Sequence, residues 1–151
     1  TAANASSISD GAAALVVTKK SVAEAQGLTV SATLVSWATN SQEPSKFTSA
    51  PVPAIRKVME KAGWSVADVD LFEINEAFAM VPMIAMKELG IPAEKLNVNG
   101  GGTALGHPIG ASGARIIATL IAALQNRGLK RGVAALCIGG GEGTAIAVEV
   151  E

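Results

Sequence analysis

Apolar side chains recur along this sequence in two rhythms. Short runs rich in β-branched residues alternate with longer stretches spaced at three and four, the pattern of a chain that builds strands and helices in turn. Ala13 to Thr18 reads as a strand, followed by Ser21 as the N-cap of a helix through Gln26 and by Gly27 as its stop. Ala32 to Trp37 predicts a second strand, and the polar stretch Thr39 to Ser49, with Pro44, a loop. Pro51 and Pro53 open a helix whose Ile55, Val58, Met59 and Ala62 share one face before Gly63 ends it. Val69 to Ile74 predicts a strand, and Asn75-Glu76 a helix entry leading through Met80 to Leu89 and the stop at Gly90. Pro82 lies inside that stretch. It lacks a backbone donor and crowds the preceding turn, so the helix either starts late or kinks there.

The last third of the chain changes character, holding 12 of the 16 glycines. Gly100-Gly101-Gly102 and Gly106-His107-Pro108-Ile109-Gly110 predict a loop. Ser112 then caps a helix with Ile116, Ile117, Leu120, Ile121 and Leu124 on its buried side, ended by Gly128. Val133 to Ile138 reads as a buried strand, Gly139 to Gly143 as a turn and Thr144 to Val150 as the return strand of a hairpin. Strands alternating with helices and closing on a hairpin give an α/β layer fold, a mixed, mostly parallel sheet with helices on both faces. With no linker, repeat or low-complexity tract, residues 1–151 read as one domain.

Composition narrows the function. At 151 residues, 49% hydrophobic and 17% charged, the chain is globular and long enough for a core without disulfides. Twelve Lys and Arg against thirteen Asp and Glu give a net charge of −1, which offers nothing to nucleic acid or an anionic membrane. The longest apolar runs are far short of the roughly 20 residues that span a bilayer. One cysteine and one histidine are too few for a zinc site, and neither a P-loop nor a dinucleotide fingerprint occurs. A lone Cys137 points to a reducing compartment, by default the cytoplasm. The chain opens at Thr1, without an initiator Met, on structured-looking sequence, which suggests a piece of a longer protein.

Four residues could carry chemistry. Cys137 ends a strand just before three glycines; free cysteine is commonly an inert buried hydrophobe, yet such glycines also let backbone amides approach an oxyanion. His107, the only imidazole, sits between Gly106 and Pro108 and reads as a solvated loop residue or as a base or donor in a cleft. Asn75 has the spacing of an ordinary N-cap, or could hold a water against a substrate carbonyl. Glu76 is the remaining crevice candidate, unless it merely complements a helix dipole.

Four stretches together resemble the thiolase family. They are Asn4-Ala5-Ser6-Ser7-Ile8-Ser9-Asp10-Gly11-Ala12-Ala13, Asn75-Glu76-Ala77-Phe78-Ala79, Asn99-Gly100 through Gly106-His107-Pro108-Ile109-Gly110-Ala111-Ser112-Gly113, and Cys137-Ile138-Gly139-Gly140-Gly141. Their order matches the carboxy-terminal half of acyl-CoA acyltransferases of this family over essentially the whole chain, so the resemblance implies a thiolase-like half fold. It implies that Cys137 is the acid/base at the α-carbon of acetyl-CoA. His107 would activate a separate nucleophilic cysteine and, with a water held by Asn75, stabilise the enolate oxygen. The Gly139 amide would belong to a second oxyanion hole, Ala2 and Ser6 would lie beside the pantetheine arm, and Phe78 would line the pocket near the thioester. Coenzyme A thioesters would be substrates, with no separate cofactor. The reaction implied is condensation of two acetyl-CoA to acetoacetyl-CoA and CoA, or its reverse.

The family's nucleophilic cysteine lies in an amino-terminal half, and this chain has no second cysteine. By that resemblance the chain alone is inactive, exposes an apolar face, and completes its site with an amino-terminal half inside a homo-oligomer, dimer or tetramer. Phe47-Thr48-Ser49-Ala50-Pro51 stands where many short-chain members carry a Met-Gly segment, which leaves chain-length preference open. A non-catalytic binding module and a thioester hydrolase using Cys137 and His107 are the alternative functions.

Overall fold

The computed structural model describes residues 1–151. In order, the elements are α1 (Lys20–Ala25), β1 (Thr33–Ser41), α2 (Pro51–Ala62), β2 (Leu71–Ile74), α3 (Met80–Leu89), α4 (Gly102–Leu105), α5 (Ser112–Arg127), β3 (Arg131–Ile138) and β4 (Glu142–Glu149). Short 3-10 turns occupy Pro44–Ser49, Val66–Asp68 and Ala93–Lys95. The four strands form one sheet in the order β1-β4-β3-β2. β2 and β3 are parallel; β3 with β4, and β4 with β1, are antiparallel.

Alternation along the strands divides the core between the two faces. Val133, Ala135 and Cys137 of β3, with Ala145 and Ala147 of β4 and Phe72 and Ile74 of β2, pack against Ile55, Val58 and Met59 of α2 and Val81 and Ala85 of α3. On the other face Leu71, Ala134 and Val148 meet Ile116, Leu120, Ala123 and Leu124 of α5. Ile55 and Val58 are 0% exposed, and each such burial is worth about 1.5–3 kcal/mol. Helices α2, α3 and α5 end at Gly63, Gly90 and Gly128, all left-handed. The amides of Trp64, Ile91 and Leu129 fold back to the carbonyls of Met59, Met86 and Leu124 there, satisfying groups the helix leaves unpaired.

Helices on both faces and the closing hairpin are as the sequence pattern predicts, but a parallel majority is not. The helix-bearing connection from β1 to β2 joins opposite edges of the sheet, so β2 and β3 are the only neighbours linked through helices and the only parallel pair. Ala13 to Thr18 forms no strand, with Val16 and Val17 at 95% and 76% exposed. The run has strand propensity, but no strand of this chain lies beside it to accept its hydrogen bonds. Helix α1 starts at Lys20 and takes Ser21 inside it. β1 runs on to Ser41, because the polar residues Thr39 to Ser41 pair with Glu142 to Thr144. Asn75 to Ala79 is not helical. Helix α3 begins at Met80, which puts Pro82 in the first turn, where its missing donor costs nothing. Ser112 does not cap α5; Ala111 stands at that position with no side-chain cap, and the Ser112 hydroxyl is used elsewhere. Ile117 and Ile121 are only partly buried.

One ion pair crosses from sheet to helix. Glu73 of β2, 2% exposed, receives Arg115 Nη1 of α5 at 3.1 Å. Burial pushes the Glu73 carboxyl from about 4.5 up to about 7 even though the guanidinium opposes the shift.

The Glu73 carboxyl therefore binds a proton more tightly folded than unfolded. Its contribution to stability is full below pH 4.5 and declines as pH rises through about 7. Urea midpoints should fall across that window, and Glu73→Gln should flatten this part of the profile. A second expectation concerns Gly143, paired with Cys137, where a Cβ would run into the backbone of Ala50 and Pro51 at the start of α2. Gly143→Ala should lower stability by about 1–3 kcal/mol in chemical denaturation.

Candidate active site

The strand ends of β2 and β3 converge on one edge of the sheet. Asn75 continues the β2 ladder by one bond, its amide donating to Ala135 O at 2.9 Å. Alternation puts its side chain on the α5 face with Glu73, and Asn75 is 1% exposed. Its Nδ2 lies 3.4 Å from His107 Nε2, while its Oδ1 is buried without a protein partner.

Asn97 fixes where β2 stops. It is the one non-glycine residue with positive φ, 46°, a conformation that asparagine tolerates better than most. Its Oδ1 accepts the Ile74 amide at 2.7 Å and its Nδ2 donates to Ile74 O at 2.9 Å, so one side chain substitutes for a neighbouring strand. The same Nδ2 reaches Glu76 Oε1 at 3.1 Å, and Glu76 Oε2 accepts the Thr103 amide in the first turn of α4. Gly101 leaves room for this carboxylate, since a Cβ there would overlap it. Glu76 thus ties a loop to a helix start instead of reaching into the crevice.

That loop delivers His107. Its amide donates to Ser7 O at 2.9 Å, and a bridge to Ile8 holds the backbone. On the ring, Nδ1 lies 2.6 Å from Ser112 Oγ, and that hydroxyl donates to Pro108 O at 3.1 Å. Partial burial, and then the Arg115 charge, hold the imidazole below its ordinary pKa. A groove with a cavity volume of about 410 Å³ lies between Ser9–Ala13 and Pro108–Ala111, the residues that follow His107.

Residues 4 to 8 form one wall. Ser6 donates both its amide and its hydroxyl to Ala77 O, at 3.2 and 2.9 Å, and the Ala79 amide donates to Asn4 O at 2.9 Å. Ala2 is exposed in the turn that precedes them. Phe78, half-exposed, meets Phe47 edge-on with ring centroids 6.1 Å apart.

Cys137 reaches the same edge along β3, two residues beyond the Ala135 that pairs with Ile74. Its side chain lies on the α2 face and makes no hydrogen bond to the Asn75–His107–Ser112 chain. Burial pushes its thiol pKa up, so the protonated form is favoured at neutral pH. Gly139, just beyond, is exposed, with open space where a Cβ would be. The edge thus joins Asn75, His107 and Ser112 by hydrogen bonds, with Cys137 and Gly139 on the neighbouring strand and turn and Ser6 and Phe78 at the wall. Sequence patterning missed Ser112, because a serine before a helical run reads as a cap. It also missed Asn97 and Arg115, whose partners are 23 and 42 residues away. No group of three His, Cys, Asp or Glu side chains converges as a metal site.

Residues 28–150 match the family model described as thiolase, C-terminal domain. The chain is 56% identical over 149 residues to the cytosolic acetyl-CoA acetyltransferase of Mus musculus and 53% identical to the acetyl-CoA acetyltransferase of Escherichia coli strain K12. It matches 99% of itself in both cases but spans only 38% of those relatives. A crystal structure of the Bacillus anthracis acetyl-CoA acetyltransferase superposes with a TM-score of 0.97 at 48% identity, covering 100% of this chain and 38% of that one. The chain belongs to the thiolase family, in which it corresponds to the carboxy-terminal domain.

Proposed function

We propose that this chain supplies the acid/base, enolate-stabilising and CoA-contact groups of an acetyl-CoA acetyltransferase. The activity is condensation of two acetyl-CoA to acetoacetyl-CoA and CoA, or the reverse thiolysis. An amino-terminal half carries the nucleophilic cysteine. The observation that supports this most is the pairing of the buried Asn75 amide with His107 Nε2 at the strand edge where Cys137 also ends. Its weight comes from the chemistry required. A carbon acid next to a thioester is weak, so the site needs a positioned base and groups that stabilise the developing enolate oxygen.

Cys137 Sγ removes a proton from the α-carbon of acetyl-CoA, and the electron pair moves onto the thioester oxygen. His107 and a water on Asn75 receive that oxygen. The unpartnered Asn75 Oδ1 suits such a water, because a buried amide oxygen is costly without a donor. The enolate carbon then attacks the acyl-cysteine of the other half, the carbon–carbon bond forms and the cysteine sulfur leaves. The Gly139 amide faces the oxygen of that tetrahedral intermediate. Ser6 and Ala2 flank the pantetheine arm, and Phe78 closes the pocket near the thioester. The raised Cys137 pKa keeps the thiol in the protonated form that returns the proton in thiolysis, and makes formation of the thiolate base the demanding step in condensation. Substrates arrive as coenzyme A thioesters without a further cofactor.

Around this edge Phe78, Met80, Met83, Leu105, Ile109 and Ile138 leave apolar surface exposed, a collar suited to an amino-terminal half. The complete protein is proposed to be a homo-oligomer, and a cytosolic location follows the relative of that name. With no hydrogen bond between Cys137 and His107, a nucleophile–base hydrolase pair is the weaker reading.

Thiolysis of acetoacetyl-CoA tests the proposal in the polypeptide that includes the amino-terminal half. Cys137→Ala and His107→Ala should each lower kcat by about 10²–10⁴-fold, and Asn75→Ala by about 10²-fold. The chain alone should give no turnover. Turnover by this chain alone, or near-wild-type rates in Cys137→Ala, would overturn the assignment.

A further inference from the structure

Ser112 occupies the first turn of α5, where a serine ordinarily caps a helix, yet its hydroxyl serves the histidine five residues earlier. It is 1% exposed, its Oγ is 2.6 Å from His107 Nδ1 and 3.1 Å from Pro108 O, and it makes no cap bond. A hydroxyl has a single hydrogen to give. Ser112 Oγ lies within reach of Pro108 O, which can only accept, so the hydroxyl can give its hydrogen there and turn a lone pair toward Nδ1. The other end of the ring agrees: the Asn75 Nδ2 opposite Nε2 can only donate. The Asn75 donor calls for the tautomer with the proton on Nδ1 and a bare Nε2, and the Ser112 hydroxyl, accepting from Nδ1 while donating to Pro108 O, is placed to hold it.

We propose that Ser112 is a positioning residue that holds the His107 proton on Nδ1, leaving the Nε2 lone pair as the base toward the crevice. A catalytic consequence follows on the acyltransferase reading above. Nε2 then takes the proton of the nucleophilic thiol: the S–H bond breaks, an N–H bond forms, and a thiolate and an imidazolium result. The new Nε2–H becomes the donor that the enolate oxygen later needs, so one nitrogen acts first as base and then as donor. With the opposite tautomer Nε2 would already carry hydrogen and could accept no proton. The Asn75 contact, at 3.4 Å, is long enough to yield when a thiol or substrate approaches. Ser112 needs no contact with substrate. Its position depends on Pro108 O, which also accepts the Ala111 and Ser112 amides at 2.8 and 2.9 Å and so locks the turn into the helix.

The first test uses no variant. In the complete polypeptide, ¹⁵N NMR of the histidine rings, with the His107 signals assigned by their absence in His107→Asn, reads the tautomer directly. The expected result is a protonated Nδ1 and a bare Nε2 at a pH where the ring is neutral. A protonated Nε2 overturns the proposal. Ser112→Ala should then release the tautomer and lower kcat for thiolysis by about 10–100-fold, by analogy with the loss of partners that orient metal-bound histidines. KM for acetoacetyl-CoA should stay within about two-fold. An unchanged tautomer and kcat in Ser112→Ala would also overturn it. Wild-type rates in His107→Ala would instead sink the acyltransferase reading while leaving the tautomer result intact, so the two failures are distinguishable.

Discussion

The site depends on where β2 is allowed to end. A four-residue strand at the side of a sheet leaves its last amide and carbonyl facing away from their neighbour, and buried groups of that kind need partners. Asn97 supplies both from one side-chain amide and passes its remaining hydrogen to Glu76. With Ile74 terminated in this way, Asn75 can leave the ladder with its side chain aimed at His107, and Glu76 can turn back to anchor the start of α4. The loop that carries His107 is thereby tied to the strand that carries Asn75. The geometry of the candidate site is a by-product of satisfying a strand end.

A second constraint is the low polarity around these groups. Glu73, Asn75 and Ser112 are among the few polar residues in the core, and all three lie on the α5 side of the β2 edge. Side-chain atoms of Asn75, Thr103 and Arg115 are the buried polar atoms without a protein partner. Such clustering runs against the economy of a purely structural core, where unsatisfied groups are costly. It fits a region kept polar for the proposed chemistry, with a raised carboxyl at Glu73 and a lowered imidazole at His107.

The two faces of the sheet divide the labour. Cys137 approaches from the α2 side, within the larger apolar cluster, where desolvation favours its neutral form. His107 and Asn75 approach from the α5 side, within the hydrogen-bonded corner. Cys137 and Asn75 therefore lie on opposite faces of the sheet at the ends of adjacent parallel strands.

The sequence by itself determined the helices α2 and α5, their stops at Gly63 and Gly128, the closing hairpin and the family motifs around Asn75, His107 and Cys137. Those features arise from interactions within a few residues, which periodicity and turn chemistry encode. Only the tertiary structure decided that Ala13 to Thr18 stays unpaired, that β1 pairs antiparallel with β4 and that α3 begins at Met80. It also decided that Ser112 serves His107 and not a helix end. A strand exists only if another strand is beside it, and a side-chain hydroxyl goes to the strongest acceptor or donor that folding brings near. Neither neighbour is fixed by local sequence, because both are set by contacts between residues far apart along the chain.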